Sequence, residues 1–139
     1  MTALTLPELV IEASTTFVIS SAIATRDFQD VHHDRDRAQQ HGSQDIFVNI
    51  LTTTGLVQRF VTDWAGPQAI VRNVAIRLGA PCYAGDTLTF TGQAEHVSAA
   101  AADGRWPAGP EYLVRVTGRC SLGDHVTGTV RVLIPGSPA

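Results

Sequence analysis

Asp27 and His32 are the residues of this chain best suited to proton transfer. They lie in the run Arg26-Asp27-Phe28-Gln29-Asp30-Val31-His32-His33-Asp34. A carboxylate with an ordinary pKa of about 3.9 and an imidazole near about 6.5 can together hold one water and move its protons at neutral pH. In a regular strand the odd spacing would send them to opposite faces, whereas an irregular turn lets them converge on one point. The chemistry therefore depends on what the flanking elements do with this segment.

Each residue also has a plainer use. Asp27 alone would be a turn-closing aspartate after an extended segment, and His32 a core histidine satisfied by a backbone carbonyl. His33 reads as solvent-facing or as support for its neighbour. Asp30, Asp34, Asp36 and His41 resemble a metal cluster, but a solvated helix-capping face accounts for them more cheaply, so no metal is expected. His96 and His125 fall in strand patterns and read as surface or edge residues, and Arg72 and Arg77 as solvent-facing.

The elements that must position the pair can be read from periodicity. The apolar, β-branched stretch Phe17 to Thr25 fits a strand that delivers the chain to Asp27. Asp34 or Asp36 as N-cap and Gly42 as terminator predict a helix of one or two turns. From Ile46 to Trp64, Ile46, Phe47, Ile50, Leu51, Val57, Phe60, Val61 and Trp64 recur at helical steps and predict a long helix. Gly55 and Thr52 to Thr54 lower its intrinsic propensity, so burial must hold it. Four strand patterns follow: Ile70 to Leu78, Thr87 to Val97, Tyr112 to Ser121 and Val126 to Ile134, with a tight turn at Leu122-Gly123-Asp124. Ala99 to Pro110 reads as a loop, and the tail from Pro135 as frayed. The sum is an α+β fold in one domain over residues 1–139, with its core between about 17 and 134: an antiparallel sheet wrapped around a central long α-helix. Such a unit leaves sheet edges and part of the helix open, which favours association.

Composition sets outer limits. A chain of 139 residues with 44% apolar residues builds one core. A net charge of −3 argues against nucleic acid or an anionic membrane surface as partner. The start of the chain lacks a basic-then-apolar leader and no long uncharged apolar run is present, so a cytoplasmic protein is expected. Cys82 and Cys120 read as two buried reduced thiols.

The order of elements, with Asp27, His32 four intervening residues later, and Asp34 opening a short helix before the long one, resembles the hot-dog fold and within it the MaoC-like enoyl-CoA hydratases. The turn Gly85-Asp86-Thr87-Leu88 extends the resemblance, which runs from Phe17 to Ile134. Ala24 to Trp64 looks in particular like the small subunit of the heteromeric steroid side-chain enoyl-CoA hydratases of cholesterol-degrading bacteria. The resemblance implies addition of water across the double bond of a 2-enoyl-CoA, with Asp27 and His32 as the catalytic pair. It implies no cofactor, the CoA being part of the substrate. It implies a second, related MaoC-like subunit in a heterodimer or heterotetramer, a steroid acyl-CoA as substrate, and a separate aldolase to cleave the product. In the family's usual pattern a His-Gly pair opens the central helix and the Gly amide binds the thioester oxygen. Val48-Asn49 stand here instead, leaving the Asn49 backbone amide as the oxyanion donor. The central helix carries acidic residues only near its ends, at Asp45 and Asp63, which disfavours the thioesterases of the same fold. Two other readings fit the same residues: a non-catalytic subunit that binds acyl-CoA and stabilises a partner, and a homodimeric hydratase of fatty enoyl-CoA.

Overall fold

A computed structural model describes residues 3–100 and 105–136, with the side chains of 98–100 left aside. Two short strands open the chain, β1 (Leu4–Thr5) and β2 (Leu9–Ala13), followed by α1 (Thr15–Ala24), a 3-10 turn at Asp30–His32, α2 (Arg35–Gln40) and α3 (Ile50–Ala65). Four long strands complete it: β3 (Ile70–Leu78), β4 (Asp86–Ala100), β5 (Gly109–Cys120) and β6 (Gly123–Leu133). The six strands form one antiparallel sheet ordered β1-β4-β5-β6-β3, with β2 also paired to β4. Strand β3 is thus an open edge.

The alternation in β4 and β5 does what the pattern predicts. Leu88, Phe90 and Ala94 of β4 and Val114 and Val116 of β5 are buried, and Val126, Val130 and Val132 of β6 join them. Against this face lies α3, whose Thr52, Thr53, Leu56, Val57, Phe60 and Val61 are buried. Phe60 stacks on Phe90 with ring centroids 6.1 Å apart. Burial of a side chain that size contributes about 2–3 kcal/mol, so packing, not propensity, holds a helix with Gly55 at its middle. None of the described helices is long and apolar enough to cross a membrane.

Four expectations are corrected. Phe17 to Thr25 is helical, not extended. Ser14 caps α1 by accepting the Phe17 N–H at 3.0 Å, and Val18 and Ala22, four apart, bury one side. Ser20, Ser21 and Thr25 bond back to carbonyls three or four residues earlier, which absorbs hydroxyls that would favour other conformations. Second, the core reaches in front of residue 17, where β1 and β2 lie and Leu6, Ile11 and Ala13 are buried in it. Third, the central helix begins at Ile50 instead of Ile46. Residues 46–48 are extended along 82–84, where Val48 N–H donates to Cys82, Ala84 N–H donates to Ile46, and Phe47 bridges Tyr83. Fourth, the expected loop at Ala99 to Pro110 is narrower, since the β4–β5 ladder continues to Ala100 opposite Gly109. Residues 101–104 and the end of the tail lie outside the described residues.

The turn at Gly85-Asp86 ties three elements together. Gly85 has φ +94°, where a side chain would be strained. Asp86 accepts from Thr87 N–H at 2.8 Å and Ser121 hydroxyl at 2.7 Å, binding the start of β4 to the β5–β6 turn.

Candidate active site

Helix α1 ends in a way that fixes Asp27. Arg26 adopts φ +58°, so Arg26 N–H reaches back to Ile23 carbonyl at 3.0 Å and Asp27 N–H to Ala22 carbonyl at 2.9 Å. This is a Schellman closure with arginine in the left-handed position that glycine usually fills, a cost the surrounding structure must carry. It sets the Asp27 backbone rigidly on the helix end. The 3-10 turn then brings His32 round, with His32 N–H donating to Gln29.

His32 is anchored on its far side. Its Nδ1 donates to the Phe47 carbonyl at 2.8 Å and its ring meets the Phe47 ring edge-on at 4.9 Å. A carbonyl only accepts, so the neutral imidazole carries its proton on Nδ1 and presents a lone pair at Nε2. That Nε2 lies 3.4 Å from Asp27 Oδ2, and the side chains are 8% and 18% exposed. Two acceptors facing each other at this distance, one of them reachable from outside, are suited to a water that donates a proton to each.

The first turn of α3 supplies the other side. Asn49 is its N-cap residue, 1% exposed, yet no side chain caps the helix. Val48 N–H is used by Cys82, while among the described residues no acceptor meets the Asn49 N–H. The Asn49 carboxamide instead donates to Thr25 Oγ1 at 2.9 Å and Asp27 Oδ2 at 3.2 Å. Uncapped N–H groups at a helix start attract an oxygen that gains negative charge. Phe28, which follows Asp27, Ile23 of α1, and Ile50 and Leu51 in the first turn of α3 expose large apolar side chains.

The structure thus brings Asp27, His32 and Asn49 together and sets the other candidates apart. His33 Nε2 bonds the Phe28 carbonyl at 3.0 Å. Asp30 accepts from Arg37 at 3.0 Å, Asp34 caps α2, and the described residues hold no cluster suited to a metal. Arg72 is not free in solvent: it and Arg131 pair with buried Glu111 at 2.8 and 2.9 Å. Cys82 is buried and Cys120 half-buried, both free. Burial pushes the Cys82 thiol up to about 12, with Cys120 and Asp86 adding to the effect.

His125 corrects an expectation, being buried instead of at the surface. The β5–β6 register shifts between Gly118 and Arg119, leaving His125 as the extra residue of a bulge that turns inward beside Val126. Its Nδ1 donates to Ala80 carbonyl at 2.8 Å and its Nε2 accepts from Thr53 hydroxyl at 2.8 Å. Burial holds its imidazole below the usual range, partly offset by the Ala80 bond.

A long helix wrapped by a curled antiparallel sheet, with an Asp/His pair at the helix mouth, is the hot-dog arrangement of the MaoC-like hydratases. No family model matches the chain. It is 57% identical over 127 residues, 91% of either chain, to the 3-oxo-4,17-pregnadiene-20-carboxyl-CoA hydratase beta subunit of Mycobacterium tuberculosis. The solved ChsH1–ChsH2 complex of that organism matches with a TM-score of 0.83 at 54% identity, covering 96% of this chain and 98% of the other. The (R)-hydratase of A. caviae involved in PHA biosynthesis shares the fold, with a TM-score of 0.75 at 18% identity and 93% of each chain covered. The chain belongs to the MaoC-like hot-dog hydratases, in the family of that hydratase beta subunit.

Proposed function

We propose that this chain is the catalytic subunit of an enoyl-CoA hydratase that adds water to a steroid side-chain 2-enoyl-CoA, in complex with a second, related hot-dog subunit. The observation that carries this is the convergence of Asp27 Oδ2 and His32 Nε2 to 3.4 Å, each held from behind. A water donating to both turns its lone pair outward, towards the β-carbon of a bound thioester. As its oxygen bonds to that carbon, the pair takes one of its protons. The thioester oxygen gains negative charge, which the Asn49 N–H and the first turn of α3 stabilise. The pair then returns the proton to the α-carbon, so that water is consumed and the two residues end as they began. The step needs no group beyond the CoA that the substrate carries.

The steroid class and the partner are supported by the identity to a hydratase beta subunit named for a pregnadiene-carboxyl-CoA, and by the match to a two-component complex. The open edge of β3 and the exposed Ile23, Phe28, Ile50 and Leu51 offer this chain's own surfaces for such a partner. The product, a tertiary alcohol β to the thioester carbonyl, is set up for retro-aldol cleavage by a separate aldolase. Co-expression with the second hot-dog chain, followed by assay of the Asp27→Ala and His32→Ala variants on 3-oxo-4,17-pregnadiene-20-carboxyl-CoA, tests the reading. Losses on the order of 10²- to 10⁴-fold are expected for each. Undiminished turnover in both would make this a stabilising subunit.

A further inference from the structure

We infer that the Asn49 carboxamide is a positioning residue that orients the Asp27 carboxylate, a role separate from that of its backbone N–H. The inference rests on the proposed hydratase chemistry and deepens it. An asparagine at an N-cap ordinarily turns its side-chain oxygen back onto the N–H groups of the first turn. Asn49 forgoes that bond. Both hydrogens of its Nδ2 are spent outside the helix, on Thr25 Oγ1 at 2.9 Å and Asp27 Oδ2 at 3.2 Å.

The chemistry of these partners fixes which way the amide faces. The single proton of the Thr25 hydroxyl goes to the Ser21 carbonyl at 2.8 Å, so only lone pairs face Asn49. A carboxylate oxygen likewise only accepts. The reversed amide would point an oxygen at two acceptors. Asn49 Oδ1 is consequently left buried and without a partner among the described residues. One residue thus carries both an orphaned buried oxygen and an uncapped helix, a departure from local optimisation of the kind found where geometry serves chemistry.

What that geometry secures is the Asp27 side chain. Among the described residues the Oδ1 atom has only a long contact to Gln29 N–H at 3.4 Å, and Oδ2 faces the His32 lone pair. Without the Asn49 amide, little in this chain stops the carboxyl group from rotating away from Nε2. Thr25 completes the brace, because it ties the amide to the C-cap of α1, two residues before Asp27.

The test uses the assembled complex and 3-oxo-4,17-pregnadiene-20-carboxyl-CoA as probe, with a double-mutant cycle. Asn49→Ala is expected to lower kcat on the order of 10²-fold with KM changed less than about threefold, the cost of a misplaced catalytic group. In the Asp27→Ala background the same substitution should change the residual rate by less than about threefold. Asn49→Ser guards against a folding artefact: serine also caps helices and adds no charge, so its unfolding midpoint should stay near that of the wild type while its rate falls as in Asn49→Ala. In Asn49→Asp a second carboxylate would face that of Asp27, so its rate should be low at neutral pH and recover in part as the pH falls and one of the two is protonated. A kcat for Asn49→Ala within about threefold of the wild type, with Asp27→Ala inactive, overturns the inference and leaves the catalytic pair standing. Equal losses in both backgrounds overturn it too, since Asn49 would then act through something other than Asp27. Full turnover by Asp27→Ala would instead bring down the hydratase reading itself.

Discussion

Acid should loosen this fold through one residue, His125. The imidazole bridges α3 and the turn after β3, donating from Nδ1 to Ala80 and accepting at Nε2 from Thr53. Protonation would place a second N–H at Nε2 against the Thr53 hydroxyl and a charge among buried neighbours, and burial accordingly holds the group below its usual range. In the unfolded chain the same histidine titrates near about 6.5. Between that value and the lower folded one, the unfolded state binds more protons, so stability is fully present above about pH 6.5 and falls as the pH drops. Each pH unit in that window costs up to about 1.4 kcal/mol from this one group. Below the folded value the loss stops. Urea unfolding of the wild type and His125→Gln at about pH 7.5 and about pH 5 isolates the effect, because the other four histidines are the same in both proteins. The variant should be less stable at the higher pH and lose clearly less on acidification. Equal losses in both proteins would refute the reasoning.

Glycines at two positions should respond oppositely. A Cβ at Gly92 would lie 2.7 Å from the Arg115 carbonyl and 2.8 Å from the Phe60 ring, so Gly92→Ala should cost about 1–3 kcal/mol. Nothing lies within 4 Å of a Cβ at Gly55, so Gly55→Ala should gain about 0.5–1 kcal/mol, both read from thermal unfolding. Alkylation of the native protein at about pH 8 should modify half-buried Cys120 before Cys82, whose burial keeps it a thiol, as peptide mass mapping would show.

The parts of the fold that rest on strict local patterns were legible in the sequence. Two-residue alternation marked β4 and β5, and Asp34 with Gly42 bracketed α2. Helix α1 was not, because its β-branched, apolar run carries strand propensity and only the Ser14 cap and the Val18/Ala22 pair reveal a helix. Strands β1 and β2 went unread, each too short to show a period of its own. The first turn of the expected central helix was lost to pairing with residues 82–84, a contact that local periodicity does not register. Asp27 and His32 could be named from their spacing and the family resemblance. The Asn49 side chain could not be, since its contact with Asp27 spans 22 residues and depends on how α1 ends. His125 escaped because a bulge breaks the alternation that placed it outside.

The central claim is that Asp27 and His32 jointly hold the water that becomes the product's hydroxyl. A crystal structure of the assembled complex with the hydrated thioester bound tests it most directly. The account predicts the β-hydroxyl oxygen within about 2.6–3.2 Å of both Asp27 Oδ2 and His32 Nε2, with the thioester oxygen on the N–H groups opening α3. A β-hydroxyl bound away from this pair, on groups of the partner subunit, would contradict it.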